Sequence, residues 1–419
     1  MSPTRETAPG LLPERTARVV VIGAGMAGAR LAARVPGAVV VGEETHAPYN
    51  RVLLAEVLAG RYAPEVIALP PAEVRRGVRV VRIDPAERRV LCDDGGVIGY
   101  ERLVLATGSN PVLPPLRGLG RTLPDGVHPF RTLDDCLALR AAAGPGTRAV
   151  VIGGGLLGVS AARALAERGA QVVLAQQGEH LMERQLDPEA SALLRVHLEA
   201  LGVEVHTECR VRGLRVDDGR VRAVELADGF ELEAEITVLA CGVRPRIGLA
   251  RAAGLEVARG IVVDDELRTS DPYIHAVGDC AEHRSTVYGL AGPAIDQADV
   301  LADVLAGGSA RYPGTRALTR LTLRSPVAAG GDSGPAGGGG FDLAAFGDAR
   351  PRPGDDVVRL ADATRGAYRT VVVRGDRLAG GVLLGDLAAV GSLARSWQDD
   401  EPLPADMSLL HLLTDDGGF

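Results

Sequence analysis

The 419-residue sequence contains no lysine, so all 46 of its basic residues are arginine. This absence excludes catalysis through a lysine Schiff base and any lysine side chain beside a cofactor. Aromatic residues make up only 3% of the chain. The cores must therefore be built from valine, leucine and alanine, a composition that suits parallel sheets buried on both faces.

Basic clusters and long apolar runs are also missing. The net charge is −8 and the arginines are scattered, so we expect neither nucleic acid nor a membrane as a partner. No apolar run approaches the roughly 20 residues that span a bilayer. Residues 1–16 are rich in proline and charge without an apolar centre, which predicts a disordered tail and a cytoplasmic protein.

Cysteine is scarce and scattered. The two cysteines closest in sequence, Cys209 and Cys241, are 32 residues apart, and no CxxC motif occurs. Iron–sulfur clusters and redox-active disulfides need grouped thiols. We therefore predict buried packing thiols, no metal site and no reduction of disulfide substrates, although Cys280 follows a motif expected near a cofactor.

Two glycine-rich fingerprints are the most informative motifs present. Each follows an apolar run of strand type and precedes a helix of small residues; they read Gly23-Ala24-Gly25-Met26-Ala27-Gly28 and Gly153-Gly154-Gly155-Leu156-Leu157-Gly158. In such motifs the first glycine makes the turn, the second admits a pyrophosphate, and the third lets helix pack on strand. The helix N-terminus then faces the anion. Two fingerprints predict two dinucleotides, FAD and NAD(P)H.

Three further features strengthen the first fingerprint. Glu43 lies 20 residues after Gly23, where a carboxylate would bind a ribose diol. Residues 103–108 form an apolar run that ends in Thr107-Gly108, and residues 274–279 form another that ends in Gly278-Asp279. Together these motifs resemble the FAD-dependent pyridine-nucleotide oxidoreductases, in which the Gly-Asp carboxylate holds the ribityl chain of the flavin.

The resemblance implies an α/β fold with two Rossmann-like dinucleotide-binding domains, arranged as in glutathione reductase with the NAD domain inserted in the FAD domain. A small C-terminal α+β domain follows, with a glycine-rich loop at 328–340, strands at 357–360, 368–373 and 378–384, and a helix at 387–397. The expected boundaries are a tail at 1–16, the FAD domain at 17–120 and 247–312, the NAD(P)H domain at 121–246, the C-terminal domain at 315–400, and a tail at 401–419.

A closer resemblance links the chain to the FAD/NAD(P)H portion of the assimilatory NAD(P)H nitrite reductase large subunit. It is carried by four stretches: residues 49–54, 181–187, 260–265 and 269–272. It implies an FAD site made of Gly23, Gly25, Met26, Ala27, Gly28, Glu43, Glu44, Arg51, Ala106, Thr107, Gly108, Gly278 and Asp279. It implies an NAD(P)H site made of Gly153, Gly155, Leu157, Gly158, Gln176 and Gly242. A helix that begins near Pro293 would aim its N-terminus at the flavin pyrimidine.

Three departures from that family qualify the expectation. The full-length reductase continues into iron–sulfur and sirohaem modules that this sequence lacks, so we expect electrons to leave to a separate acceptor. Ser160 stands where the family usually has a carboxylate near the nicotinamide, which places hydride delivery in question. Gln176 stands at the position that is expected to contact the adenosine ribose of the nicotinamide dinucleotide. No arginine lies between residues 171 and 183 to bind a 2′-phosphate, so the sequence favours NADH over NADPH.

The sequence leaves three functions open. In the first, NAD(P)H reduces the flavin, which passes electrons to a nitrite or nitrate reductase component, a ferredoxin-like protein or a small acceptor. In the second, the chain acts on a small metabolite, with Ser160 marking a changed pocket. In the third, it is a non-catalytic flavoprotein that binds other proteins through its C-terminal region. The sequence does not predict an oligomeric state.

Overall fold

A computed structural model of the chain describes residues 15–70, 73–120, 122–323, 341–362, 366–385, 387, 389–404 and 408–413. The chain divides into two compact units. The first comprises Met1–Leu54, Ala63–Asn110 and Val243–Thr315, and the second comprises Ala55–Tyr62, Pro111–Gly242 and Arg316–Phe419. The glycine-rich loop predicted at 328–340 and most of the two predicted tails lie outside the described residues.

The described ranges contain both strands and helices. The strands are β1 (Arg15–Ile22), β2 (Val39–Gly42), β3 (Val74–Arg76), β4 (Val80–Asp84), β5 (Arg89–Cys92), β6 (Val97–Leu105), β7 (Ser109–Pro111), β8 (Val127–Pro129), β9 (Arg148–Ile152), β10 (Gln171–Ala175), β11 (Val203–His206), β12 (Val211–Asp217), β13 (Arg220–Leu226), β14 (Glu231–Glu233), β15 (Ile236–Leu239), β16 (Val243–Pro245), β17 (Ile261–Val263), β18 (Ile274–Ala276), β19 (Ala281–His283), β20 (Leu318–Leu323), β21 (Phe341–Gly347), β22 (Asp356–Asp362), β23 (Ala367–Arg374) and β24 (Arg377–Leu384). The α-helices are α1 (Met26–Arg34), α2 (Leu54–Leu58), α3 (Leu133–Ala142), α4 (Leu156–Glu167), α5 (Pro188–Ala200), α6 (Gly248–Ala252), α7 (Ala291–Leu305) and α8 (Val390–Gln398). Short 3-10 helices occupy Arg51–Leu53, Pro64–Ile67, Gly278–Cys280 and Leu409–Leu412.

The first unit is built on a sheet with the order β3-β2-β1-β6-β5-β4, and β18 also pairs with β6. Strand β1 is parallel to β2 and β6, and β18 is parallel to β6, whereas β5 pairs with β6 in antiparallel fashion. The apolar side chains of β1 are buried on both faces, as expected for a parallel strand covered by helices. Helix α1 packs against α7 in this unit.

The start of β1 corrects the predicted N-terminal tail. Arg15 and Thr16, assigned to the tail at 1–16, belong to β1 because they continue its parallel pairing with Ile98 and Gly99 of β6. Their polar side chains gave no sign of a strand. A partner strand distant in sequence supplies the backbone hydrogen bonds that extend β1.

The second unit holds a parallel sheet with the order β11-β10-β9-β15-β8 and an antiparallel sheet β12-β13-β14. Its helices begin at sequence signals that the chain carries locally. Thr132 and Asp135 form a capping box at α3. The side chain of Asp187 accepts a hydrogen bond from the Ala190 N–H at the start of α5, where Pro188 occupies the first turn.

The C-terminal region forms a five-stranded antiparallel sheet with the order β20-β21-β24-β23-β22, and α8 packs on it. Strand β21 was not predicted because its alanines and Asp342 break the alternation of a half-buried strand; pairing with β20 and β24 forms it. Contacts join this sheet to α5 within the second unit. The rings of Phe341 and His197 stack with centroids 4.4 Å apart, and the Tyr368 hydroxyl donates to Asp187 at 2.8 Å.

A cluster of four charges joins α4, which begins within the second fingerprint, to α2 and the residues after it. Arg163 is 1% exposed and pairs with Glu56 and with Glu167, whose Oε1 lies 3.1 Å from Nη1 of Arg163. Arg61 bridges the same two carboxylates, at 3.2 Å and 2.8 Å. Each carboxylate thus has two guanidinium partners, which offsets the cost of removing the charges from water.

We expect Arg163→Met to lower the free energy of unfolding of the second unit by about 3–5 kcal/mol, because it leaves the largely buried carboxylates of Glu56 and Glu167 with Arg61 as their one guanidinium partner. Urea unfolding followed by the fluorescence of Trp397, the single tryptophan, reports on this unit. Arg195→Ala is the matched control: it breaks an exposed pair with Glu199 on α5 and should cost less than about 0.5 kcal/mol. Equal effects of the two substitutions would contradict a structural role for the cluster.

Candidate functional site

The first fingerprint forms the turn from β1 to α1. Gly23 has φ +109°, and a Cβ built there would overlap the carbonyl oxygen of Ala106; one built at Gly28 would overlap the carbonyl oxygen of Gly23. At Gly25 the nearest atom to a built Cβ is Nε of Arg51, at 3.8 Å. The outer glycines are therefore required by backbone packing, whereas the middle one leaves open space beside a cation.

The second fingerprint repeats this geometry at the turn from β9 to α4. Gly153 also has φ +109°, and its built Cβ lies 2.5 Å from the carbonyl oxygen of Ala240. A Cβ at Gly158 would overlap the carbonyl oxygen of Gly153, whereas one at Gly155 meets nothing within 4 Å. Each fingerprint thus forms a cradle, the turn made by its three glycines. Both cradles are sterically closed at the two outer glycines and open at the middle one.

Both cradles end at the uncapped N-terminus of a helix. Gly25 precedes α1 and Gly155 precedes α4, and neither provides a side chain to accept the first N–H groups. Neither helix has an acidic residue in its first turn, where Met26, Ala27 and Leu157 lie. The unpaired N–H groups and the positive end of the helix dipole therefore suit an anion such as a pyrophosphate.

The predicted flavin ligands of the first unit meet at one edge of its sheet. Gly23 follows β1, Glu43 follows β2, Ala106 follows β6, and Gly278 and Asp279 follow β18. These are neighbouring parallel strands, so their carboxyl ends share an edge. Ligands of open α/β sheets bind outside the carboxyl ends of the strands.

Glu44 and Arg51 form an ion pair beside the first cradle. The Tyr49 hydroxyl donates to Oε2 of Glu44 at 2.7 Å, and the Arg51 guanidinium lies 5.0 Å from the centre of the Tyr49 ring. Burial opposes the charge on Arg51, but Tyr49 and Glu44 outweigh it and raise the pKa of the guanidinium. Arg51 therefore remains a cation close to Gly25.

Arg246 is a site residue that the sequence analysis missed. Its guanidinium binds the side chains of Glu43 and Asn110. Its backbone is held too, because its N–H donates to the Gly108 carbonyl at 2.9 Å and its carbonyl accepts from the Thr107 hydroxyl at 3.0 Å. No local pattern identifies Arg246, since its partners are 136 or more residues away in sequence.

The Gly278-Asp279 turn is held from two sides. Gly278 adopts φ +77°, a left-handed conformation that favours glycine, and its N–H donates to Oε1 of Gln297 at 2.7 Å. The Ser109 hydroxyl donates to Oδ2 of Asp279 at 2.9 Å. Cys280 lies behind the turn, buried, with its thiol directed at the carbonyls of Leu105 and Val277.

Three other predicted residues lie in the second unit, and their surroundings differ. Gln176 follows β10 and its Oε1 accepts from the Gly154 N–H at 2.8 Å, so it contacts the fingerprint. Gly242, after β15, has φ +94° and nothing within 4 Å of a built Cβ. Ser160 is buried on α4, and its hydroxyl donates to the Leu156 carbonyl at 2.7 Å, within the same helix.

An open cleft of about 310 Å³ lies at the end of β11, next to Gln176. It is lined by residues 206–210 and 226–228, which include Glu208, Arg210 and Asp228. The Cys209 N–H donates to the Gln176 carbonyl at 2.9 Å, which joins the cleft to the end of β10. The lining of the cleft thus holds side chains of both charges next to the end of β10.

None of the five cysteines forms a disulfide. Burial raises the pKa of each thiol, to about 11 for Cys136 and Cys241 and above the ordinary value for Cys92, Cys209 and Cys280. The thiolate is the form that attacks a disulfide. These protonated thiols are therefore poorly suited to thiol–disulfide exchange.

Within the residues that the structure describes, no helix is long and apolar enough to cross a membrane. Over the same residues, His, Cys, Asp and Glu side chains form no group of three or more that could hold a metal ion.

The comparisons with known proteins agree on the family to which the chain is similar. Residues 17–298 match the family of pyridine nucleotide-disulphide oxidoreductases, and residues 338–396 match the rubredoxin NAD+ reductase C-terminal domain. The chain is 32% identical to a nitrite reductase [NAD(P)H] of Bacillus subtilis, over 96% of this chain and 50% of the relative. It is 34% identical to the assimilatory nitrate reductase electron transfer subunit of the same organism, over 88% of this chain and 48% of the relative.

The solved structures agree with these relatives. The putidaredoxin reductase–putidaredoxin covalent complex matches with a TM-score of 0.80 and 25% identity, over 95% of this chain and 98% of that one. The chain spans about half the length of the two curated relatives named above. The predicted family, fold class and enzyme class are confirmed: this chain belongs to the pyridine nucleotide-disulphide oxidoreductase family, whose members use FAD and NAD(P)H.

Proposed function

We propose that the protein is an FAD-dependent reductase that oxidises NADH in preference to NADPH and passes the electrons to a separate acceptor. The observation that carries the proposal is the repeated cradle, open at Gly25 in one unit and at Gly155 in the other. Each cradle ends at an uncapped helix N-terminus whose first turn holds no acidic residue. One chain therefore offers two anion sites of dinucleotide type.

The residues of the first unit fit FAD by their donor chemistry. The α1 N-terminus and Arg51 would bind the pyrophosphate, Glu43 the adenosine ribose, and Asp279 the ribityl hydroxyls. The N-terminus of α7 also lacks a capping side chain and first-turn acids, so its N–H groups would stabilise negative charge on the pyrimidine ring. When bound, the flavin supplies hydride acceptance and onward electron transfer, and the protein supplies orientation and electrostatics.

The residues of the second unit fit a nicotinamide dinucleotide. The α4 N-terminus would bind its pyrophosphate, and the Gln176 amide nitrogen would donate to a ribose hydroxyl while Oε1 stays on Gly154. No arginine lies between residues 171 and 183 to bind a 2′-phosphate, which supports the preference for NADH.

The electron acceptor is proposed to be another protein. The chain's five thiols form no disulfide and have raised pKa values, so they offer no internal redox relay. Similarity to a nitrate reductase electron transfer subunit and to putidaredoxin reductase supports a nitrite or nitrate reductase component or a ferredoxin-like protein as the acceptor.

Asp279→Ala should weaken FAD binding at least about tenfold, because a charge-assisted hydrogen bond contributes roughly 1.5–3 kcal/mol. The ratio of FAD to protein after dialysis, read from the visible spectrum, measures the effect. Asp94→Ala removes a surface aspartate paired with Arg75 in the same unit and should leave the ratio unchanged. Wild-type protein that stays colourless with added FAD would overturn the proposed function.

Gln176→Arg should shift the ratio of kcat/KM values for NADH and NADPH toward NADPH by about tenfold or more, because a guanidinium can bind the 2′-phosphate. Gln177→Arg is the charge-matched control; it adds the same group one residue away, on an exposed side chain, and should shift the ratio less. A wild-type preference for NADPH would contradict the proposed cofactor.

Ser160→Glu should speed reduction of the flavin by NADH in anaerobic stopped-flow measurements, because a carboxylate can orient the nicotinamide; misplacement by about 1 Å can cost roughly a hundredfold. Ser160→Ala should leave the rate unchanged, since the native hydroxyl is engaged with Leu156. If Ser160→Glu instead slows reduction, the pocket is not adapted to the nicotinamide geometry of the family. A small-metabolite oxidoreductase then becomes the better hypothesis.

A further inference from the structure

The segment that follows β10 folds back onto the second fingerprint. The Met182 N–H donates to the Gly154 carbonyl at 2.9 Å. Beside this bond, Cδ2 of Leu181 lies 2.6 Å from a Cβ built at Gly154. Leu181 and Met182 are 0% and 1% exposed. Two buried residues of a later loop thus support the second cradle from its inner side.

The bond from Met182 sets the direction of an N–H group at the cradle. A planar trans peptide directs its carbonyl and its N–H to opposite sides, and the peptide between Gly154 and Gly155 is trans. Because the Gly154 carbonyl points to Met182, the Gly155 N–H points away from it. Gly154 is buried, whereas Gly155 is exposed and a Cβ built there meets nothing within 4 Å. The bond therefore turns the Gly155 N–H toward the open side of the cradle.

Met182 is in a strained conformation that its neighbours must hold. Its φ is +51°, in the left-handed region, which is costly for a residue with a side chain and persists where surrounding contacts enforce it. On one side, the Leu181 N–H donates to Oγ of Ser191 on α5 at 2.8 Å. On the other side, Nη2 of Arg350 in the C-terminal region donates to the Glu183 carbonyl at 2.6 Å. The residues before and after Met182 are thus both fixed.

We propose that Ser191 and Arg350 are positioning residues for the nicotinamide dinucleotide. They hold Met182 so that the Gly154 peptide presents the Gly155 N–H to the pyrophosphate; this arrangement is called the Met182 clamp. The inference rests on the proposed function, which places a dinucleotide at the second cradle. Neither residue needs to touch the dinucleotide. Through Arg350, the C-terminal region supports the nucleotide site of its own unit.

Ser191→Ala tests the clamp from α5, because it removes the acceptor of the Leu181 N–H and little of the side-chain volume. In FAD-loaded protein, amide hydrogen exchange at Met182 should quicken by about fivefold or more. The Kd of ADP-ribose, a probe that carries the pyrophosphate, should rise about five- to tenfold in isothermal titration calorimetry, the loss of roughly one hydrogen bond. Ser392→Ala is the control; its hydroxyl donates to the Ala389 carbonyl, and its loss should change neither value.

Arg350→Met tests the clamp from the C-terminal region with an exposed side chain, whose replacement spares the core. Exchange at Met182 should quicken, and the Kd of ADP-ribose should rise about threefold or more. Arg352→Met is the matched control: it removes the same charge two residues away, where the guanidinium pairs with Asp348 at 2.8 Å, and should leave both values unchanged. Wild-type exchange at Met182 in both Ser191→Ala and Arg350→Met would overturn the clamp.

Steady-state kinetics distinguish positioning from general loosening of the fold. The pyrophosphate is bound equally before and during hydride transfer, so Ser191→Ala and Arg350→Met should raise the KM for NADH without lowering kcat or the ratio of FAD to protein. A parallel fall in kcat or in FAD content would overturn the positioning role. Quickened exchange at Met182 with unchanged ADP-ribose affinity would overturn the link to the pyrophosphate. Wild-type protein that binds ADP-ribose but does not oxidise NADH would overturn the proposed function and leave the clamp intact.

Discussion

The close approach of a helix to the strand before it is the constraint on which both units depend. At each fingerprint the backbone of a neighbouring strand lies where a side chain would be, against Gly23 in one unit and Gly153 in the other. The third glycine closes the helix onto the turn in the same way. Because no side chain fits at these glycines, the turn stays tight and directs the first N–H groups of α1 and α4 into open space. The two anion sites are a consequence of this close packing.

Two arginines neutralise the adjacent glutamates at the sheet edge of the first unit. Arg51 and Arg246 each bind one of the two adjacent carboxylates, Glu44 and Glu43. A planar guanidinium can hold a carboxylate and still present donors elsewhere, and it stays charged when half-buried. In a chain without lysine, these pairs leave the edge balanced in charge while keeping cationic groups beside the cradle.

Local pattern predicted the nucleotide-binding framework well, because buried parallel strands and small-residue helices have strong periodic signals. The starts of α3 and α5 depend on Thr132, Asp187 and Pro188, which act on their own helices and are therefore local signals of the sequence. Strand β21 and the first residues of β1 were missed, since pairing with distant strands forms them. The glycines and acidic residues of the site could be chosen from motifs; Arg246 and Gln297 could not, because their contacts depend on tertiary structure.

The buried charges on α4 have a thermal consequence. Hydration of ions becomes less favourable as temperature rises, so the penalty for holding Arg163 and Glu167 away from water shrinks on warming while their attraction persists. Apolar packing around the same helix gains little over that range. The contribution of these ion pairs to the stability of α4 therefore increases with temperature relative to that of apolar packing. We expect the N-terminus of α4 to keep its geometry at temperatures at which exposed loops have begun to open.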